Sequence, residues 1–414
     1  MENVYIIGLG MIRFNKYPDR TVRDMAHETT NLALQDAGLD KKDLQAVFFS
    51  NTFWGMYTNQ HSIRGQCVTR SMGVDRIPVT NVENACAGAS TALNLAYTGV
   101  RAGQFDVALA LGSEKITHEN KAMALGAYAS CMDLERLQDS LDLFMKMSAE
   151  LDMDTSAQDG EPGQGRSVFM DAYAMGAKWH MKKFGSTQQQ LATICAKNHW
   201  HGSLNPMAQY QTDMSVDEVL ADKPVAFPLT RAMCAPVGDG AAAAIVCSES
   251  YLNKLNGVRP VKILASVLGQ GRDRSLDEAD IGEILAQEAY QKAGVGPEDI
   301  SLAELHDATS YGELHQCEAM GFCPMGEGGP YAESGATRLG GEKPVNTSGG
   351  LECRGHPIGA SGLAQIYEVG LQLRGEAGKR QVEGARLGLC ENGGGNIGVE
   401  EASMCIHILE RVDR

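Results

Sequence analysis

The sequence predicts an α/β protein built from two copies of one α/β half-domain, with a cap inserted into the first copy. Three observations carry this prediction. Strand and helix patterns alternate over the first 115 residues, the same order returns 256 to 271 residues later, and composition changes between about His118 and Met233. Such alternation favours a parallel or mixed sheet with helices packed on it.

Val4 to Ile7 reads as the first strand, and Val22 to Ala37 as a helix stopped by Gly38. Strand patterns follow at Ala46 to Phe49, Ile77 to Val82 and Val107 to Leu111, with a helix from Ala87 to Arg101 between the last two. Gly8-Leu9-Gly10 looks like the start of a dinucleotide fingerprint, but Arg13 stands where the third glycine belongs. The recurrence matches Ala33, Gln35, Ala37, Gly38 and Asp43 to Ala289, Gln291, Ala293, Gly294 and Asp299. Further on, Gly88-Ala89-Ser90 matches Gly359-Ala360-Ser361, each opening an apolar helix. Two matched stretches in the same order indicate a duplicated half-domain. Ala241 to Val246 reads as the last strand of the first half, and Ala402 to Leu409 as its partner in the second. The expected boundaries are 1–117 with 234–254 for the first half, 118–233 for the cap and 255–414 for the second half. Within the cap, nine acids between Asp133 and Glu161 face only Arg136 and Lys146, and a Gly/Pro stretch follows at Gly160 to Gly165.

The 414 residues carry 36 Lys and Arg against 52 Asp and Glu, a formal net charge of −16 that excludes nucleic acid as a general partner. No apolar run approaches the ~20 residues of a membrane span. The first ten residues lack the basic flank of a secretory signal. A cytoplasmic protein, with no membrane partner and its eleven cysteines reduced, is the expectation.

Asn84-Ala85-Cys86-Ala87-Gly88 places a thiol between a strand and a helix start, among small residues that leave room for a substrate. His306-Asp307 follows the strand pattern Ser301 to Leu305, and His356 lies in Gly355-His356-Pro357-Ile358-Gly359-Ala360 before a helix. Cys390 follows the strand pattern Arg386 to Leu389 and precedes Glu391-Asn392-Gly393-Gly394-Gly395, read as a turn. Two thiols and two imidazoles at strand ends form a constellation. His199-Trp200-His201 and His315-Gln316-Cys317 lack the spacing of a metal set, so no metal is expected. Lys178, His180, Lys182 and Lys183 form a basic run in the cap that could meet the phosphates of an anionic substrate, and Tyr128, Tyr173 and Trp179 could line a pocket.

These motifs resemble the thiolase superfamily along essentially the whole chain, and within it the sterol-carrier-protein-type thiolases and their lipid-transfer-protein-like relatives. The resemblance implies a thiolase fold in five layers, α-β-α-β-α, and a homodimer or homotetramer. It implies acyl transfer to coenzyme A through an S-acyl cysteine, by thiolysis of a 3-oxoacyl-CoA or Claisen condensation, with the CoA thioester as substrate and no permanently bound cofactor. Cys86 would be the nucleophile, His356 its base, and His306 with His356 would hold the thioester oxygen. Cys390 would be the second acid/base, and the backbone N–H groups of Cys86 and Asn392 the oxyanion donors. Apart from the resemblance, the basic run makes Lys178, Lys182 and Lys183 candidate CoA contacts, against a solvated helix face as the default reading of such a run. Two departures stand out: Ala308 occupies a place where relatives often have a cysteine, and Ala235 replaces a serine that touches pantetheine. A rival reading is a carbon–carbon lyase acting on a CoA thioester with a small partner protein. Its members replace the two histidines by tyrosines, and a non-catalytic CoA or lipid-binding scaffold would have no use for all four groups.

Overall fold

The computed structural model describes residues 2–151 and 165–413. The acids at 152, 154, 159 and 161 and nearly all of the Gly/Pro stretch lie outside the described residues. The strands are β1 Val4–Met11, β2 Ala46–Ser50, β3 Val79–Val82, β4 Val107–Glu114, β5 Pro224–Ala226, β6 Leu229–Thr230, β7 Gly240–Ser248, β8 Val261–Gly269, β9 Leu302–Glu304, β10 Leu387–Ile397 and β11 Glu400–Arg411. Nine of them form one sheet in the order β3-β2-β4-β7-β1-β8-β11-β10-β9.

The duplication is visible in this order. In the first half β2 pairs parallel with β3 and β4, β4 antiparallel with β7, and β7 antiparallel with β1. In the second half β9 pairs parallel with β10, β10 antiparallel with β11, and β11 antiparallel with β8. A parallel bridge from Ala303 to Val345 stands where β3 stands in the first half. The halves join through β1 and β8, at Tyr5 with Lys262 and Ile6 with Val261. The repeated stop signals act alike. Helix Val22–Ala37 opens on a Thr21–Asp24 capping box and ends at Gly38 with φ +65°; helix Ile281–Ala293 opens on Asp280–Glu283 and ends at Gly294 with φ +73°.

Five layers follow from where the apolar faces go. Helices Gly88–Arg101 and Ser361–Arg374 fill the space between the two half-sheets, sharing a core with Leu93, Ala96, Leu363 and Val369. Helix Val22–Ala37 covers the outer face of the first half and helix Ile281–Ala293 that of the second. Strands β4 and β7 are buried along their whole length because helices cover both faces, which is why they read as unbroken apolar runs. Gly8 and Gly10 belong to β1, where a Cβ would collide with Ala33 and Thr29 of the covering helix. Their role is close packing. Residues between 118 and 233 supply helices Lys121–Ala129, Leu137–Leu151, Val168–Phe184 and Gln188–Ser203. The last two share a core with Tyr311 and Leu314 of helix Ser310–Ala319.

One strand corrects the sequence reading. The strand expected to end at Leu389 continues to Ile397, so Glu391 to Gly394 are paired with β11 and do not form a turn. Glycine is depleted in strands in general, but here the chain needs bare backbone. A Cβ on Gly394 would strike Asn84 and Ala87 and lie 2.9 Å from the Cys86 nitrogen.

Candidate active site

Cys86 sits on a strained elbow. Ala85 adopts φ +46°, a left-handed conformation that non-glycine residues rarely take. It is held by the Ala85 N–H donating to Glu83 and by Ala87 N–H and Gly88 N–H donating to the carbonyls of Asn84 and Ala85. The helix begins at Gly88. Below the elbow, Glu114 at the end of β4 accepts from the N–H groups of Thr52, Phe53 and Gly359 and from the Asn51 amide, tying the loop after β2 to the Gly355–Ala360 segment.

Both histidines meet the thiol. His356 Nε2 lies 3.3 Å from Cys86 Sγ, the imidazole rings of His306 and His356 are 5.1 Å apart, and ligand atoms of all three residues fall within 4.8 Å of one another. Their tautomers follow from their partners. Ser361 Oγ donates its single hydrogen to the Pro357 carbonyl, so it accepts from His356 Nδ1 at 2.7 Å. That leaves the Nε2 lone pair facing the Cys86 thiol. His306 is set the opposite way. Ser90 Oγ donates to Asn392 Oδ1, so Asn392 Nδ2 donates to His306 Nδ1 at 2.9 Å and Nε2 carries the hydrogen. A protonated Nε2 is a donor and offers no lone pair to a metal, so the cluster suits acid/base chemistry better than chelation.

Burial fixes the charge states. It pushes the Cys86 thiol well above its ordinary range, reinforced by Cys131 and Glu401, so the resting group is a thiol that needs a base. Burial also pulls His306 down to about 4, and His356 well below its usual value, helped by His306 and Arg354. Both rings are neutral at rest.

The cluster opens into a cavity of about 340 Å³ lined by Tyr128, Tyr173 and Trp179 among others. All three aromatics named from the sequence therefore reach it. The other expectations fare differently. Cys390 is fully buried in the central core, packed with the inner helices, and does not line the cavity. It lies on the opposite face of β10 from Glu391 and Gly393, as alternation along a strand requires. Asn392 does not line the cavity either, whereas Gly393 and Gly394 do. The basic run also turns away. Residues 173, 176 and 179 of helix Val168–Phe184 face the cavity at helical spacing. Lys178 is buried outside the cavity lining, Lys182 Nζ donates to the Glu150 and Leu151 carbonyls, and Lys183 pairs with Asp277 beside Trp179. His201 bonds the Asn346 carbonyl and the Leu339 N–H, and His199 the Thr212 carbonyl, so both are structural.

Sequence reasoning missed Ser361 and the Asn392 side chain, whose partners are fixed by tertiary contact. It also missed a polar end of the cavity, where Arg274 pairs with Glu400 at 2.5 Å and His315 with Asp280 at 2.5 Å.

Residues 4–250 match the family described as Thiolase, N-terminal domain, and residues 280–411 the one described as Thiolase C-terminal domain-like. The chain belongs to the thiolase family, and it is an acyltransferase. It is 36% identical to the acetyl-CoA acetyltransferase of Methanothermobacter thermautotrophicus over 99% of this chain and all of that one. It is 34% identical to the benzoylsuccinyl-CoA thiolase subunit BbsB of Thauera aromatica, covering 92% of each. Among solved structures, human mitochondrial 3-ketoacyl-CoA thiolase shares the fold, with a TM-score of 0.71 at 14% identity over 100% of this chain and 99% of that one.

Proposed function

We propose that the protein transfers acyl groups to and from coenzyme A through an S-acyl intermediate on Cys86, splitting a 3-oxoacyl-CoA by thiolysis or running the reverse condensation. The observation that carries this reading is the His356 lone pair held 3.3 Å from the Cys86 sulfur by a partnered Nδ1. His356 takes the thiol proton, and the thiolate attacks the acyl carbon. His306 directs its Nε2–H at the substrate oxygen. The acyl-enzyme oxyanion is held by backbone N–H groups of Cys86 and the adjoining Gly393-Gly394 segment, which replaces Asn392 in that role. Each such donor is worth roughly 3 to 4 kcal/mol.

The aromatic wall supports an acyl group with an apolar body as the substrate. The core that helices Val168–Phe184 and Gln188–Ser203 build against Tyr311 and Leu314 of the second half supports 118–233 as a cap on two halves, 1–117 with 234–254 and 255–414. Strand β3 is an open sheet edge with Thr80 and Asn81 exposed, which supports pairing with a second copy in a homodimer or homotetramer. Among the described residues no helix is long and apolar enough to cross a membrane, in keeping with a cytoplasmic enzyme.

Intact mass after mixing with acetyl-CoA and longer acyl-CoAs tests the reading. A covalent acyl adduct that Cys86→Ala abolishes is expected. Cleavage of a 3-hydroxyacyl-CoA to a carbonyl compound without any adduct would replace it with the lyase reading.

A further inference from the structure

Acyl transfer at Cys86 leaves one proton without a carrier, the one at the substrate's α-carbon. His356 serves the thiol, His306 presents an N–H, Cys390 is sealed in the core, and Ala308 has no ionisable group. The remaining carboxyl groups on the cavity wall are engaged: Asp280 with His315 and Glu400 with Arg274. Glu401, at the start of β11, is the exception. Among the described residues its carboxyl forms no hydrogen bond or ion pair, and it lines the same cavity as Cys86.

Its position is defined by two consecutive glycines. The site a Gly393 Cβ would occupy is filled by the Glu401 carboxyl, and the site a Gly394 Cβ would occupy is 2.9 Å from the Cys86 nitrogen. Consecutive residues of a strand present opposite faces, so the carboxyl lies on one face of this short piece of β10 and the nucleophile elbow on the other, and Glu401 and Cys86 border the same cavity. Two residues back on the same face, fully buried Glu391 accepts from the His306 N–H with one oxygen and leaves Oε1 without a partner. We propose that Glu401, backed by Glu391, is the acid/base that protonates and deprotonates the substrate α-carbon in place of a second cysteine thiol. This rests on the acyl-transfer reading above.

Two crowded carboxyls cannot both ionise cheaply, so one keeps its proton. Burial, then the Glu391 charge, raises Glu401 well above the usual carboxylate range, which makes it a proton donor in the resting enzyme. In thiolysis the Cys86 thiolate adds to the 3-oxo carbon and the bond between that carbon and the α-carbon breaks. The electron pair stays on the α-carbon as an enolate, which takes the Glu401 proton and leaves as an acyl-CoA. Glu401, now a carboxylate, takes the proton of the incoming CoA thiol. The CoA sulfur attacks the S-acyl carbon, the carbon–sulfur bond to Cys86 breaks, and Cys86 regains its proton from His356. Every proton is returned. The competing thiols on the wall are Cys131, which burial pushes up to about 12, and Cys234, which burial also raises, and both lie far from a working acid/base.

The test uses the full-length protein and a panel of short, medium and long 3-oxoacyl-CoAs alongside simple acyl-CoAs. With Glu401→Gln, carbon–carbon cleavage falls at least about 100-fold, while Cys86 acylation by a simple acyl-CoA falls less than about tenfold. Glu401→Asp recovers part of the cleavage, and Cys131→Ser stays within about threefold of the parent enzyme. Cleavage by the Gln variant within tenfold of the parent overturns the proposal, as does the same selective loss in the Cys131 variant. Equal loss of acylation and cleavage in the Gln variant, with no recovery in the Asp variant, assigns Glu401 to holding the elbow and also overturns it. If the parent enzyme forms no Cys86 adduct, the acyl-transfer reading itself fails, and that result is distinct from all of these.

Discussion

At the scale of single residues, the site works because two hydroxyl groups and one amide decide which nitrogen of each imidazole carries a hydrogen. Ser361 acts on His356 and Ser90 acts on His306 through Asn392, and none of them touches the cavity. Removing the Ser361 hydroxyl frees His356 to present an N–H to Cys86 in place of its lone pair. A buried hydrogen bond of this kind is worth about 1 to 2 kcal/mol, so Ser361→Ala should slow Cys86 acylation about 5- to 30-fold. Burst kinetics with an acyl-CoA would read that slowing, with unchanged circular dichroism showing that the fold survives. An acylation rate within twofold of the parent would mean that Ser361 does not set the tautomer. None of these supporting side chains was legible in the sequence. Cys86, His306 and His356 each sit in a short motif at a strand end, whereas Asn392 and His306 are 86 positions apart and meet only through the pairing of β9 with β10.

At the scale of elements, the glycine run in β10 shows both the strength and the failure of pattern reading. Its importance was legible, because three glycines beside a thiol suggest close approach to something. Its conformation was not, since glycine weakens strands and the same run reads as a turn. What overrides propensity is the full ladder to β11, which holds bare backbone against the Cys86 elbow. Gly394→Ala should therefore push the elbow out of line. We expect acylation to fall at least about 100-fold, since a displacement near 1 Å costs that much, with stability lowered by about 1 to 3 kcal/mol from overpacking. Adduct formation and urea unfolding measure the two effects separately. The cap helix Val168–Phe184 teaches the converse. Charge drew attention to its lysines, but helical rotation puts Tyr173, Gly176 and Trp179 on the cavity and leaves Lys182 and Lys183 outside it.

At the scale of the whole molecule, the acidic excess is partly an interior property. Glu114 is pushed up to about 7 by burial, against the pull of its N–H donors, and Glu304 also to about 7 despite Arg354. Glu352 rises further, to about 8, again because of burial. Each of these groups holds a proton in the folded chain that the unfolded chain releases near 4.5. Their stabilising contribution is therefore complete below about pH 4.5 and is lost as pH rises through 7 to 8, at up to ~1.4 kcal/mol per pH unit for each proton. Asp280 runs the other way. Burial would raise it, but His315 and Arg274 hold it at about 2, so its contribution persists down to acid and fails only below about pH 4. The two trends together place maximal stability on the acid side of neutrality, between about pH 4.5 and 6. Thermal unfolding at pH 5.5 and pH 8 at constant ionic strength should give a lower Tm at pH 8. Glu114→Gln, which cannot ionise, should have a lower Tm throughout but a shallower fall between the two pH values. A Tm that rises from pH 5.5 to 8 would show that these carboxyls are ionised in the folded protein, and that the interior holds its negative charge by pairing and not by protonation.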